Sequence, residues 1–342
     1  MSRLALRQFR TSAWTAVVGL ALVAAAVVAT RPHFVTAARR ACGADPDCPA
    51  ITGLALDNAA ARTAAGLVVI LAPALIGAFW GAPLVAREFE AGTHQLVWTQ
   101  SIGRTRWLAG KLAVAGTATV VASASLSALV TWWAAPLDHG AGYATFDQRD
   151  IVPIGYALFA FALGLAAGLV TRRTLPAMAL TLAGLLAARI AVTEWIRPLI
   201  AAPRVVTTPL DPDNTGYGWG GNILLGVGES TLQPRTPDLP DAWIQSVRVV
   251  DAAGASLTDQ TLRATCPTLE TGGHGPAGPA PEAVRQQLHD CVARIGEQHH
   301  VVVTYQPGDR YWTFQWWELA VFLLGAGLLV GYACYRLRRG TS

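Results

Sequence analysis

Few side chains in this sequence are spaced for chemistry. His299 and His300 are adjacent, with His289 and Cys291 shortly before them, but this spacing is not that of a recognised metal site. The G-x-S-x-G nucleophile elbow and the H-E-x-x-H zinc helix are both absent from the sequence. We therefore predict no catalytic residue and no metal ligand in this chain, and assign these histidines to structural or surface roles.

Nucleotide hydrolysis is excluded by the position of the single lysine. A P-loop, G-x-x-x-x-G-K-[ST], holds phosphates with backbone amides and a lysine. Lys111 follows Gly110, but Thr105 stands where the first glycine belongs and Leu112 where the serine or threonine belongs. Any ATP that drives this protein must be hydrolysed by a partner, so we expect no cofactor in this chain.

Arg189 is the most unusual charge, because it lies in a long apolar block about 9 Å from the block's end. A charge at that depth is costly and usually meets a polar cavity or a partner. The alternatives are that Arg189 extends to the interface or pairs with Glu194. Glu318 also lies near the end of an apolar block.

The five cysteines fall into two local pairs and one single residue. Cys42 and Cys48 share one short segment, Cys266 and Cys291 share one long segment, and Cys334 lies in an apolar block. Disulfides persist in oxidising compartments, so we predict the bonds Cys42–Cys48 and Cys266–Cys291 outside the cytoplasm. The alternative is that these are unpaired cysteines.

The elements that carry these residues are membrane spans. Hydrophobic residues make up 52% of the chain and charged residues only 14%, and the apolar residues form long uncharged blocks. About 20 apolar residues in a helix cross the hydrocarbon core. We predict six spans, of which the fifth is interrupted by charges and the sixth begins in an aromatic cluster typical of the interface.

Both termini are predicted to be cytoplasmic. With the N-terminus inside, the short inner segments carry twelve Lys and Arg and the short outer loops carry five. The residues 1–11 form either an amphipathic interfacial helix or a charged flank that only sets topology. The apolar block that follows is longer than the core of a cleaved signal peptide, and more spans follow it.

The resulting organisation has three parts. Residues 1–200 hold the amphipathic N-terminal helix and five spans, 201–313 form an extracytoplasmic domain, and 314–342 hold the sixth span and a cytoplasmic tail. In the domain we predict an irregular stretch over 207–241, strands at 243–250 and 299–305, and a helix over 281–296. The fold class is mainly α, with a small α+β domain.

Three G-x-x-x-G pairs occur in the predicted spans, and this spacing lets two helices approach closely. They are Gly77 with Gly81, Gly164 with Gly168, and Gly327 with Gly331. We expect packing within the subunit, and the alternative is a seam between subunits.

The segment GAPLVAREFEAGTHQLVWTQSIGRTRWLAGK resembles the second-span exit and cytoplasmic loop of type-2 ABC transporter permeases, as found in actinobacteria. The resemblance extends to ARIAVTEWIRP in the fifth span and YQPGDRYWTFQWWELAVF at the sixth. It covers the layout of the whole chain. It implies an exporter subunit that works as a homodimer or heterodimer of permeases on a separate ATP-binding cassette subunit, which binds the ATP and Mg.

In such permeases the loop after the second span supplies a coupling helix, here expected over 94–101. The resemblance assigns ATPase coupling to residues before and within this loop: Glu88, Glu90, Gly92, Thr93, Gln100, Arg104 and Arg106. Topology alone is the alternative role of the two arginines. Each glutamate is expected to meet an arginine or a helix N-terminus. For Arg189 and Glu194 the implied place is the transport path or the subunit seam.

We therefore interpret the chain as a multi-pass permease of the cytoplasmic membrane, with membrane lipids as partners and no role for nucleic acid. A membrane-anchored sensor with an extracytoplasmic ligand-binding domain is the alternative, but no cytoplasmic output domain is evident. A membrane enzyme is the third class, and its motifs are missing.

Overall fold

Six helical spans dominate the computed structural model, which describes residues 2–43, 48, 50–92, 104–137, 142–222, 227–234, 237, 239, 241–266 and 282–339. The helices long and apolar enough to cross a membrane define spans 1 to 6 in chain order: Val17–Cys42, Ala59–Glu90, Thr105–Leu137, Val152–Thr171, Thr174–Leu199 and Gly308–Arg338. The six predicted spans are confirmed.

Span 1 is the end of one long helix. That helix runs without a break over Ser2–Cys42, so the N-terminal residues continue directly into the span. A short helix, Ala50–Asp57, follows before span 2. The predicted amphipathic helix is thus the first part of a longer helix rather than a separate element.

Span 2 consists of three helical pieces. Helix Ala59–Ile76 passes into a π-helical turn, Gly77–Gly81, and then into helix Pro83–Glu90. Pro83 has no amide hydrogen, and the wider turn accommodates the missing backbone bond. Span 5 has a similar irregular end, in which helix Thr174–Ala191 continues as a π turn, Val192–Ile196, and a 3₁₀ turn, Arg197–Leu199.

The remaining spans are more regular. Span 3 is helix Arg104–Ala134 with a 3₁₀ turn, Ala135–Leu137. Span 4 is helix Val152–Thr171, and span 6 is formed mainly by helix Tyr311–Arg338. Between spans 3 and 4 lies a short 3₁₀ segment, Tyr143–Gln148.

Two of the three G-x-x-x-G pairs form the closest helix contact. A Cβ on Gly81 would lie 2.5 Å from the Phe161 oxygen, and a Cβ on Gly164 would lie 2.4 Å from the Gly77 oxygen. Only glycine allows spans 2 and 4 to approach this closely. These pairs therefore pack within the subunit, as predicted, whereas the position of a Cβ on Gly327 or Gly331 meets no atom within 4 Å among the described residues.

Residues Ala202–Gly308 form a second compact unit between spans 5 and 6. It contains an antiparallel three-stranded sheet in the order β1-β5-β4 and a hairpin of β2 and β3. The strands are β1 Arg204–Pro209, β2 Thr215–Asn222, β3 Val227–Pro234, β4 Trp243–Asp251 and β5 His299–Gln306. Two helices, Asp259–Thr265 and Glu282–Gly296, complete the unit.

The core of this unit lies between the sheet and the helices. Val301 and Val303, alternate residues of β5, are buried together with Val292 and Ile295 of helix Glu282–Gly296. The period of two along β5 therefore directs its valines to one face. The predicted strands, helix and small α+β class are confirmed.

The prediction of an irregular stretch over 207–241 is wrong. Part of β1 and all of β2 and β3 fall within it, although Pro, Gly and Asp are frequent there. β1 gains its hydrogen bonds from β5, with Thr207 opposite Val302, and β2 pairs with β3. Pairing with a distant or neighbouring strand overrides a weak local preference.

Both predicted disulfides are present. Cys42 and Cys48 are bonded with a Cα–Cα distance of 5.6 Å, and Cys266 and Cys291 with a distance of 5.8 Å. The second bond links the two helices of the domain and lies in its core. Cys334 is the free cysteine.

Candidate functional site

Where span 2 ends, Glu88 forms an ion pair with Lys111 of span 3. The Lys111 Nζ also donates to the Leu84 carbonyl at 2.9 Å and lies 4.5 Å from the centre of the Trp107 ring. The side chains of Lys111 and Glu88 are only 8% and 13% exposed. The two spans that flank the loop 91–103 are therefore fastened together at its base.

Glu90 links the end of span 2 to the start of span 5. Its Oε1 accepts from the Thr174 amide at 2.8 Å, and its Oε2 accepts from the Thr174 hydroxyl at 2.6 Å. Thr174 is the first residue of helix Thr174–Ala191, whose free amides and dipole favour a carboxylate. Glu90 therefore caps span 5 from span 2, as expected for a carboxylate that meets a helix N-terminus, whereas Glu88 meets a lysine rather than an arginine.

The other residues assigned to coupling surround the loop. Gly92 has a φ of +68°, a left-handed conformation that favours glycine and ends the helix of span 2. Arg104 begins the helix of span 3, and Arg106 is exposed two residues later. Thr93, Gln100 and the coupling helix expected over 94–101 lie outside the described residues.

At the opposite end of span 2's neighbours, five polar side chains form what we call the polar cluster: Asp147, Tyr156, Arg189, Arg197 and Glu318. Its centre is a two-pronged contact between Arg197 of span 5 and Glu318 of span 6. Arg197 Nε lies 2.8 Å from Glu318 Oε2, and Arg197 Nη2 lies 2.9 Å from Oε1. The two side chains are 8% and 1% exposed, so this ion pair is buried.

Asp147 and Tyr156 extend the cluster to the 3₁₀ segment and span 4. Asp147 Oδ1 accepts from Arg197 Nη2 at 2.6 Å, and the Tyr156 hydroxyl lies 2.6 Å from Asp147 Oδ1 and 2.5 Å from Glu318 Oε1. Burial acts to raise the pKa of Asp147. The charges of Arg197 and Arg189 and the hydrogen bonds outweigh that effect and hold this pKa below its ordinary value.

Arg189 is the outermost member of the cluster. Its Nη2 lies 3.7 Å from Asp147 Oδ1, and its guanidinium lies 4.2 Å from the centre of the Tyr156 ring. The side chain is 18% exposed. Arg189 therefore neither pairs with Glu194 nor simply extends to the interface. Glu194 is exposed and makes no ion pair with any residue that the structure describes.

Further hydrogen bonds hold the start of span 6 against the segment before span 4. Gln315 donates to the Phe146 carbonyl at 3.1 Å and accepts from the Val152 amide at 3.1 Å. The Tyr311 hydroxyl donates to Asp150 Oδ2 at 2.6 Å. The polar cluster thus belongs to a wider polar junction among spans 4, 5 and 6.

Arg197, Glu318, Asp147 and Lys111 were not selected as site residues from the sequence. Arg197 and Glu318 were recognised only as charges at the ends of apolar blocks. A charge balance across the predicted spans was the signal that could have paired them, because a buried charge requires a partner. Their separation of 121 residues gave no indication of contact.

Metal binding receives no support from the described part of the chain. No group of three or more His, Cys, Asp and Glu side chains there could hold an ion. His289 Nε2 lies 3.3 Å from Asp213 Oδ1 on the surface, and His299 Nδ1 lies 3.2 Å from the Ile295 carbonyl. These contacts are those of surface and helix-end histidines.

Comparisons with known proteins identify the family. Neither a curated protein nor a solved structure is significantly similar to the chain. The profile of the ABC-2 membrane transporter related family matches residues 16–197, just over half of the chain, including spans 1 to 4, both glutamates of the loop end, and Arg189, Glu194 and Arg197. This membrane protein of six spans therefore belongs to the ABC-2 membrane transporter related family.

Proposed function

We propose that this chain is the membrane-spanning permease subunit of an ABC exporter in the cytoplasmic membrane. Its family supports a transport subunit that works with an ATP-binding cassette subunit, rather than an enzyme. In this proposal the cassette subunit binds and hydrolyses MgATP, because the chain has no P-loop. A second permease subunit, either a copy of this chain or a related one, completes the transporter.

The observation that carries the coupling proposal is the pair of braces at the loop end. Glu88 fastens span 2 to span 3 through Lys111, and Glu90 fastens span 2 to span 5 through Thr174. A force on the loop 91–103 would then act on three spans together. Glu88, Glu90, Gly92, Thr93, Gln100, Arg104 and Arg106 are the residues that we assign to this ATPase coupling.

Orientation is part of the proposal. With both termini in the cytoplasm, the loop 91–103 faces the ATPase and the domain Ala202–Gly308 lies outside. Both disulfides then fall on the oxidising side. The polar cluster lies at the outer ends of spans 4, 5 and 6, where Arg189 and Glu194 are assigned to the transport path or the subunit seam.

The double variant Glu88→Gln/Glu90→Gln tests the coupling. It keeps the side-chain shapes and removes both charges, so we expect a complex that assembles with the ATPase but transmits its work poorly. Because the transported molecule is unidentified, a thiol at the far end of the bundle provides the signal. Ala144→Cys is exposed, and Cys334→Ala removes the free native thiol.

Maleimide labelling of Ala144→Cys is measured in vesicles that contain the co-purified ATP-binding cassette subunit, with and without MgATP and vanadate. With native glutamates we expect the labelling rate to change about fivefold or more. In the double variant we expect no change while ATP hydrolysis continues. Arg106→Gln, an exposed change beside the same loop, is the matched control. An unaltered response in the double variant would remove the glutamates from coupling.

Sidedness is tested in the same Cys334→Ala background. An impermeant maleimide applied to intact cells should label Thr236→Cys and spare Thr105→Cys. Mass spectrometry of unreduced peptides should find no free thiol at Cys42, Cys48, Cys266 or Cys291. Labelling of Thr105→Cys from outside would reverse the proposed orientation.

A further inference from the structure

A cavity of about 300 Å³ lies beside the starts of spans 2 and 4 and the end of span 3. Two arginines, Arg62 and Arg149, line one part of it, together with Thr145 and Gln148. Arg149 is only 9% exposed. The cavity is separate from both the loop end and the polar cluster, since none of its lining residues belongs to either.

The lining changes from charged to apolar along the direction of the spans. Arg62 stands in the first turn of helix Ala59–Ile76, while Leu67 and Ile70 of the same helix lie about 8 Å and 12 Å deeper. Val130 of span 3 faces the same deep part. The cavity therefore has a cationic end near the membrane boundary and an apolar end within the hydrocarbon.

The charged end favours an anion. Among the described residues that line the cavity, two side chains are positively charged and none is an aspartate or glutamate. The nearest acidic residue in sequence, Asp150, does not line it and accepts from the Tyr311 hydroxyl. Guanidinium groups bind phosphate oxygens in a two-pronged geometry, which makes a phosphate the fitting anion.

The apolar end favours a hydrocarbon chain. Leu56 and Leu67 line the cavity and are 70% and 50% exposed, so the cavity opens toward the lipid. Trp133, at the junction of the charged and apolar parts, is fixed by a hydrogen bond of 2.8 Å to Thr30 of span 1. Tryptophan at this depth is typical of the interface between headgroups and acyl chains.

From this arrangement we propose that the cavity is a binding site for one acidic phospholipid. The phosphate of the headgroup binds Arg62 and Arg149, and an acyl chain lies along Leu67, Ile70 and Val130. A free phosphate would satisfy the arginines but leave the apolar half of the cavity without a ligand. The lipid would join spans 2, 3 and 4 at the end of the bundle opposite the loop 91–103.

Native mass spectrometry of the full chain in detergent tests this site. Titration with phosphatidylglycerol should show one lipid bound at least about tenfold more tightly than phosphatidylcholine with the same acyl chains, since only the acidic lipid carries net charge for both arginines. Excess inorganic phosphate should not displace it. Equal affinity for the two lipids, or displacement by phosphate, would overturn the proposal.

Three variants locate the lipid. Arg62→Gln should weaken phosphatidylglycerol binding about tenfold, whereas Arg40→Gln, an exposed arginine at the same end of the bundle, should not change it. Thr63→Trp introduces a large ring into the cavity from an exposed position and should abolish binding. If Thr63→Trp folds with an unchanged melting temperature and still retains the lipid, or if Arg40→Gln matches Arg62→Gln, the site is not this cavity.

Discussion

The two ends of the bundle use the same chemistry for different purposes. At the loop end, one lysine and one exposed helix start hold two glutamates, and each brace is a single local contact. In the polar cluster, two arginines, two carboxylates and a tyrosine form a largely buried network. A buried network loses much stability when one member is removed, whereas an exposed contact breaks and re-forms at little cost. The comparison indicates that the polar cluster is a static junction and that the loop end is suited to movement.

The largest effect is expected at Arg197. Arg197→Met leaves Glu318 buried without its two-pronged partner, and we expect a loss of about 3–5 kcal/mol in the free energy of unfolding. The double change Arg197→Met/Glu318→Met removes both charges and should recover most of that loss. Thermal and denaturant unfolding in detergent measure it. If the single variant is no less stable than the double variant, the cluster is not a static junction.

At the loop end the corresponding change is Lys111→Met. It leaves Glu88 partly buried near the water boundary, so we expect a smaller loss of about 1–3 kcal/mol. Arg106→Met, at an exposed position on the same helix, is the matched control and should be neutral. The same unfolding measurements apply, and a loss as large as that of Arg197→Met would contradict the contrast between the two ends.

Arg189→Ala separates the rim of the polar cluster from its centre. Its contacts are a long ion pair and the face of a tyrosine ring, so we expect a loss of no more than about 1 kcal/mol. If Arg189 lines the transport path, the variant should assemble normally but lower transport-linked ATP hydrolysis, while Glu194→Gln serves as the exposed comparison. A variant that assembles, remains stable and supports full activity would assign Arg189 a structural role.

Acid should weaken the junction through Asp147. Its pKa lies below the ordinary value in the folded protein, so its contribution to stability is complete above the unfolded pKa and is lost as the pH falls through the folded one, that is below about pH 4. Asp147→Asn should therefore lower the melting temperature at pH 6 but leave it less dependent on pH between 5 and 3 than in the native chain. Parallel curves for the two proteins would refute this role.

Glu90→Gln is expected to change stability least. The carboxylate is exposed, and a glutamine still accepts from Thr174 without the charge that favours the helix start. We expect an unfolding curve close to that of the native chain, together with a weaker ATP-driven change at Ala144→Cys. A strong loss of stability with normal coupling would reverse the roles that we assign to the two ends.

Much of the architecture was predictable because it depends on local composition. Six uncharged blocks predict six helices, since an apolar run of this length must satisfy its own backbone hydrogen bonds in lipid. The strands at β4 and β5 and the helix after them followed from alternation and from Pro and Gly at their ends. β1, β2 and β3 did not, because their stability comes from pairing partners rather than from their own residues.

The functional sites divide along the same line. From the sequence by itself came the unusual position of Arg189, the two glutamates before the loop, the pairing of four cysteines, and the absence of a P-loop. Only the tertiary structure decided that Arg197 binds Glu318 across 121 residues, that Glu90 caps span 5, and that Arg62 and Arg149 line one cavity. Residue type and spacing report the cost of a charge in the membrane, but the partner that offsets this cost is selected by how the helices pack.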